Sequence, residues 1–194
     1  MGNREDLVAG ARRCLEEKGW ARTTVRDISA ASGGVSMAAI GYHFGSREAL
    51  LNTALVEAMR DWGDEIGRAM AEVETLEVTP AERYEALWSR MIDSINAHRT
   101  LWLANLEAMV QAEHSPELRG YLVEGQREGR RGLAAQLGGR EEGTLAEPEI
   151  RSTGSVHLAL LFGVMAQWLN DPAQAPTGAD LLAGLRAVVS HLDG

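Results

Sequence analysis

Apolar positions along the chain recur at helical rather than strand spacing. Leu7, Val8, Ala11, Cys14 and Leu15 follow the i, i+1, i+4, i+7, i+8 stripe of an amphipathic helix, and Gly19 stands where such a helix stops. Thr24, with Asp27 three residues on, opens a short second helix like a capping box and carries it to about Ser32. A third short helix is predicted from about Ser36 to Phe44. Gly45-Ser46 breaks it, and Ser46 caps a long fourth helix with Leu50, Leu51, Leu55, Met59, Trp62 and Ile66 on its apolar face.

Prolines mark further helix starts. Thr79-Pro80-Ala81-Glu82 places a capping Thr before Pro at the first helical position, and Ser115-Pro116-Glu117 repeats the device. Gly138-Gly139-Arg140-Glu141-Glu142-Gly143 is expected to be a flexible polar loop before a helix starting near Pro148. The last two helices are predicted at roughly 148–169 and 178–192, giving about nine. Alternating β-branched runs are missing, so the predicted fold class is all-α.

A chain of 194 residues can bury one sizeable core, or join a small domain to a larger one. The start lacks an apolar run behind a basic segment, and no stretch approaches the roughly 18 apolar residues of a membrane span. A cytoplasmic protein with no membrane partner is expected. Cys14 is the only cysteine, which rules out an intrachain disulfide and a cysteine-based metal cluster, and its place on an apolar helix face favours core packing.

The net charge of −9 would ordinarily argue against nucleic acid as a partner. Residues 1–50, however, carry seven basic and six acidic side chains, so the acid load lies in the remainder. Enzyme signatures are missing: no His-Glu-x-x-His, Gly-x-Ser-x-Gly or phosphate loop, and five scattered histidines. Catalysis, cofactors and bound metal are therefore not expected.

Two short helices joined by a glycine turn, with another helix behind, form a helix-turn-helix, whose second helix enters the DNA major groove. That groove is about 12 Å wide. Ala38, Ala39 and Gly41 keep the helix narrow, Ile40 and Phe44 are expected to face inward, and Tyr42 and His43 outward toward phosphate oxygens.

At these residues the chain resembles the TetR (tetracycline-repressor-like) family of bacterial transcription regulators. The matching runs are Thr24–Ala31, then Gly34-Val35-Ser36, then Tyr42-His43-Phe44-Gly45-Ser46-Arg47-Glu48-Ala49-Leu50. At the level of motifs the resemblance covers roughly residues 5–55; beyond that only length and helical layout agree. It implies a DNA-binding domain over residues 1–47 and a helical ligand-binding and dimerisation domain over 48–194.

The resemblance also implies roles. Thr24 and Arg47 would bond phosphates at the starts of the second and fourth helices. Ser36, Met37, Ala38 and Ala39 would face base edges, and Tyr42 and His43 would contact backbone or flanking bases. Met37 and Gly41 stand where a lysine and a tyrosine are frequent in the family, and the turn Ser32-Gly33-Gly34 is one residue longer than usual. Direct readout is then thin, with apolar contact to thymine methyls and shape readout in its place. Each residue also has a plainer reading. Thr24 and Ser36 cap helices with or without DNA, Arg22, Arg26 and Arg47 could be solvated surface charges, and His43 could be packed or simply exposed.

In the acidic remainder, Trp62, Trp88, Trp102 and Trp168, with Met91, Met109 and Met165, are candidates to line a cavity for a flat hydrophobic effector. They equally suit an ordinary core. Asn96, His98, Asn105, Gln111, His114 and His157 could orient a ligand, though spacing singles out none. Ser155, Ala159, Gly163 and Ala166 form a small-residue stripe beside Leu158, Leu161, Phe162 and Met165, while Leu181, Leu182, Leu185, Val188, Val189 and Leu192 line the final helix. Such faces pair across a homodimer, or are buried within one subunit. The expected function is a ligand-responsive repressor that binds a palindromic operator in double-stranded DNA as a homodimer and is released by a small hydrophobic effector. The alternative is a helical sensor or scaffold for a protein partner.

Overall fold

The structure is a computed structural model that describes residues 3–75 and 77–192. Its helices are α1 (Asn3–Lys18), α2 (Val25–Ala31), α3 (Met37–Phe44), α4 (Arg47–Glu74), α5 (Pro80–Ala97), α6 (Arg99–Gln111) and α7 (Pro116–Gly138). A helical path over 147–170, here α8, follows, and then α9 (Gly178–Leu192). No strand occurs among the described residues, so the all-α expectation holds.

Two local features differ from the expectation. The stretch read as a flexible loop contains a 3-10 turn at Glu142–Thr144. The helix expected from Pro148 starts at Glu147 and is not uniform: Ile150–Gly154 is wound as a π-helix before regular α geometry resumes at Ser155–Asn170. The segment Ile150-Arg151-Ser152-Thr153-Gly154 is poor in strong helix formers, and a wider turn costs little there. Gly154 also abuts α7, where a side-chain Cβ would lie 2.3 Å from the Arg130 carbonyl oxygen.

The chain divides into two compact units. The first takes residues up to Gly63 together with His98–Val123, and the second takes Asp64–Ala97 together with the residues from Glu124 onward. In the first unit α1, α2, α3, the front of α4, and α6 share one core of Leu7, Leu15, Ile28, Ile40, Leu50, Leu51, Leu101 and Ala104, with Cys14 inside it as expected. The Glu107 carboxylate of α6 accepts the Ala21 amide at 2.9 Å. This bond ties α6 to the connection between α1 and α2. Three short helices bury too little surface to hold a core alone, and α6 supplies the missing side.

Close approach sets the angle between α1 and α2. A Cβ at Gly10 would lie 2.2 Å from Ser32 Oγ, 2.9 Å from the Ser32 nitrogen and 3.0 Å from the Ile28 carbonyl. In the second unit, Leu87, Trp88, Met91, Ile92 and Ile95 of α5 are buried, as are Leu161, Val164, Met165 and Leu169 of α8. Gly178 lets α9 meet α5, since a Cβ there would lie 2.5 Å from the Glu85 carbonyl oxygen.

Three helices start with the same reciprocal cap. The amides of Thr24, Thr79 and Thr177 donate to the carboxylates of Asp27, Glu82 and Asp180 at 2.8, 2.9 and 2.9 Å, and each threonine hydroxyl accepts the amide of its acid partner. The third box, at α9, lacks the proline that made Thr79 conspicuous in the sequence. These bonds hold Glu82 and Asp180 below the usual carboxylate range; Asp27 lies below it too, first through Lys18 and then through Thr24.

Gly10→Ala is expected to cost about 1–3 kcal/mol. Adding Ser32→Ala should recover only part, because two of the three crowding atoms are backbone; thermal unfolding of the single and double variants checks this. A carboxylate with a lowered folded pKa stabilises the protein above its unfolded value of about 4. The stability is lost as pH falls through the folded values, so the melting temperature should drop on acidification below about pH 4. Replacing Thr24, Thr79 and Thr177 together by Val should flatten that profile.

Candidate DNA-binding face and effector region

The helix-turn-helix is assembled from α2, a glycine turn and α3. The Thr24 cap starts α2, and the positive φ angles of Gly33 and Gly34, 75° and 85°, end it, with the Gly34 amide reaching back to the Ser29 carbonyl at 3.0 Å. A side chain at either position would strain the backbone. The Ser29 hydroxyl then donates to the Val35 carbonyl at 2.6 Å, fixing the exit of the longer turn, and Ser36 Oγ caps α3 through the Ala38 amide at 3.2 Å.

The α3 helix is only eight residues long, and one side of it is nailed down. Ile40 is fully packed, Phe44 is half-buried with the Arg4 guanidinium 5.3 Å above its ring, and Ala39 packs against the same core. The opposite side is bare: Met37 is 49% exposed and Tyr42 85%, with Ser36, Ala38, Gly41 and His43 also exposed. The Tyr42 and His43 rings meet edge to face, 4.9 Å apart. The expected inward pair, Ile40 and Phe44, does face inward. Of the four residues expected at base edges, Ser36, Met37 and Ala38 lie open, while the Ala39 methyl is half-buried.

Arg47, at the start of α4, is built into the fold. Its Nε donates to the Thr23 carbonyl at 2.6 Å, Nη2 to the Trp20 carbonyl at 2.8 Å, and Nη1 to the Glu48 carboxylate at 2.7 Å. A guanidinium carries five N–H donors, so two remain for a phosphate. The Thr24 side chain is exposed, with its hydroxyl bonded to Asp27 at 2.6 Å. Several anchors escaped the sequence reading: Arg13, which donates to the Ala31 carbonyl; Thr23, whose hydroxyl donates to the Gly19 carbonyl at 2.7 Å; and Glu107. The Thr23 bond is local, but Arg13 and Glu107 bond backbone groups 18 and 86 residues away, for which a single sequence carries no periodic signal.

The seven candidate effector residues fall in both units. Trp62, Trp102 and Met109 belong to the first, where the two indoles meet edge to face with centroids 4.7 Å apart. Trp88, Met91, Met165 and Trp168 belong to the second; the first three are buried, and Trp168 donates its N–H to the Pro176 carbonyl at 3.0 Å. An open groove on α9, lined by Leu185, Arg186, Val189 and Ser190, includes none of the seven. Tyr84, not among the candidates, sits in an aromatic group with Trp88 and with His157. Burial holds the Tyr84 hydroxyl above its ordinary pKa and the His157 imidazole below it. Among the described residues no cluster of metal-ligating side chains occurs, and no helix is long and apolar enough to cross a membrane.

Arg47→Ala is expected to lower stability by about 1–3 kcal/mol, because two carbonyls lose their donor. A residue serving phosphate alone would leave the melting temperature unchanged, so calorimetry without DNA separates the two roles.

Comparison with known proteins places these features. The family profile "Bacterial regulatory proteins, tetR family" matches residues 7–54, and "Tetracyclin repressor-like, C-terminal domain" matches residues 79–191. The HTH-type transcriptional regulator BetI 1 of Chromohalobacter salexigens is 27% identical over 179 residues, which cover 92% of this chain and 82% of that one. The HTH-type transcriptional repressor AcnR of Corynebacterium efficiens is 35% identical over 92 residues, 47% of this chain and 48% of that one. Among solved structures, the multidrug binding protein EbrR complexed with imidazole superposes with a TM-score of 0.68 at 21% identity, covering 95% of both chains, and the same protein has been solved with proflavin. With a helix-turn-helix at its head and both parts of the family matched along its length, the chain belongs to the TetR family of transcription regulators, which are not enzymes.

Proposed function

We propose that the protein is a homodimeric repressor that binds a palindromic operator and releases it when a small hydrophobic effector binds. The observation that carries this reading is the one-sided α3 helix, held from behind by Ile40 and Phe44 while Met37, Ala38, Tyr42 and His43 stand open to a groove. Residues 1–47 would hold the DNA contacts, and 48–194 the effector site and the dimer contacts, in a protein working in the cytoplasm.

On the DNA face, Tyr42, the exposed Thr24 and the remaining N–H groups of Arg47 would bond phosphates, which set position and carry no sequence information. Ser36, Met37 and Ala38 would meet base edges. Met37 and Ala38 offer only apolar contact, which suits a thymine methyl. With no cation on the exposed part of α3, operator shape must supply much of the discrimination.

Dimerisation is supported by apolar side chains left uncovered on the last two helices: Val156 on α8, and Val188, Val189 and Leu192 on α9, the last 80% exposed. A twofold pairing of such faces would set two recognition helices against two half-sites. The effector reading draws on EbrR, which binds imidazole and proflavin. Helix α4 runs unbroken from the first compact unit into the second, so a shift of its far end reaches the residues that seat α3. An effector would weaken DNA binding to the extent that it prefers one position of this helix.

Selection from a random duplex pool, followed by anisotropy across a salt series, tests this reading. A palindrome is expected, with log Kd rising steeply with log salt, roughly 0.9 per phosphate engaged. Tyr42→Ala should weaken binding about tenfold across sequences without lowering the melting temperature. Sequence-indifferent binding that salt barely alters would favour a helical scaffold instead.

A further inference from the structure

The second unit contains four polar side-chain atoms sealed from solvent and without a hydrogen-bond partner: Arg83 Nε, the Tyr84 hydroxyl, Trp88 Nε1 and His157 Nδ1. The last three belong to one group. Tyr84 and Trp88 lie one turn apart on α5 with ring centroids 6.4 Å apart, and His157 of α8 brings its ring to 5.9 Å from Tyr84. Trp88 is wholly buried and His157 nine-tenths so.

Two near misses accompany them. The Trp88 indole approaches the Tyr84 oxygen closely enough to favour phenolate slightly, and the Thr153 carbonyl similarly favours a protonated His157. Neither contact reaches hydrogen-bond geometry.

Buried polar groups in folded proteins are almost always paired, and three orphans in one aromatic group ask for a missing partner. Packing alone does not account for them. Phenylalanine would fill the space of Tyr84 without a hydroxyl to desolvate.

The chemistry of that partner follows from the donors. An indole N–H only donates, a phenol O–H donates readily, and a neutral imidazole nitrogen donates or accepts according to tautomer. A carbonyl oxygen, with two lone pairs, can take the Trp88 and Tyr84 hydrogens together. Burial favours the uncharged forms of both Tyr84 and His157. A charged ligand would find no counter-charge on these three side chains. Three tilted rings receive a flat apolar body.

We propose that Tyr84, Trp88 and His157 are the polar end of the effector site, and that the site takes an uncharged, planar, apolar compound bearing a carbonyl-type acceptor. This rests on the effector reading above and names its ligand class. The π-helical segment Ile150–Gly154 ends three residues before His157. Rewinding it by one residue would turn the following helix by roughly 100° relative to the turn before, which gives the closed site a way to open.

Acridone and proflavin test the proposal, being three-ring compounds of like shape, one neutral with a carbonyl and the other cationic without it. Fluorescence titration of the full chain is expected to show acridone binding more tightly than proflavin. Tyr84→Phe and Trp88→Phe should each weaken acridone about tenfold or more. The ligand-free melting temperature of Tyr84→Phe should stay level or rise, since an unpaired hydroxyl is removed. Acridone that does not bind, that binds both variants like the parent, or that binds more weakly than proflavin overturns the proposal. A clear fall in the melting temperature of Tyr84→Phe overturns it too, because the hydroxyl would then have a structural partner. Acridone that binds, loses affinity in the variants and leaves operator affinity unchanged supports the site and overturns its role as an effector site.

Discussion

The DNA-binding head depends on one side chain that does not belong to its recognition helix. Arg47 stands where α4 begins, and its guanidinium gathers the Trp20 and Thr23 carbonyls from the far side of α1. Those carbonyls lie in the short connection that sets where α2 starts. By holding them, Arg47 fixes the position of α2 relative to α4, and α3 is strung between the two. The Thr23 hydroxyl and Glu107 secure the same connection from other directions. A helix of eight residues is marginal by itself, so its placement comes from tertiary anchors rather than from propensity.

This arrangement explains how α3 can leave so much of itself open. Ile40 is its one fully buried side chain, and the remaining apolar volume it presents is small or exposed. A surface meant for DNA must not be consumed by the protein's own core, and here rigidity is supplied from both flanks. Gly33 and Gly34 contribute on one side, since two successive positive φ angles permit the longer turn without strain. On the other, Gly45, with φ 79°, ends α3 just before Ser46 caps α4. Met37 and Gly41 add no charge to the exposed face, which in the proposed reading would leave phosphate contacts and shape to carry more of the recognition.

Much of this architecture was legible in the sequence because it rests on local rules. The apolar stripe of α1, the Thr-x-x-acid boxes and the proline starts each act within one helical turn, and the structure follows them closely. The third box, Thr177 with Asp180, obeys the same rule and was hidden by the glycine and proline around it. What escaped was non-local. Nothing in the spacing of Arg47 or Glu107 announces a bond to a backbone group tens of residues away. The tryptophans could be counted but not grouped, and the group that formed in the second unit drew in Tyr84 instead. The π-helical segment likewise answers to Gly154 pressing on α7, a contact no single-helix pattern encodes.

The three unpaired atoms around Tyr84 bear on regulation as much as on binding. A ligand moves a conformational equilibrium only by the difference in its affinity for the two states. A closed site that keeps a donor dry and unbonded already carries the cost of that donor, about 1–3 kcal/mol. A ligand that satisfies two such donors in an open state gains about 2–6 kcal/mol over one meeting only apolar walls, comparable to or larger than the 1–3 kcal/mol typical of coupling between sites. Selectivity and switching would then come from the same atoms. A compound lacking the acceptor could still fill the apolar space, but it would leave the donors as unpaired as before and give the equilibrium little reason to move.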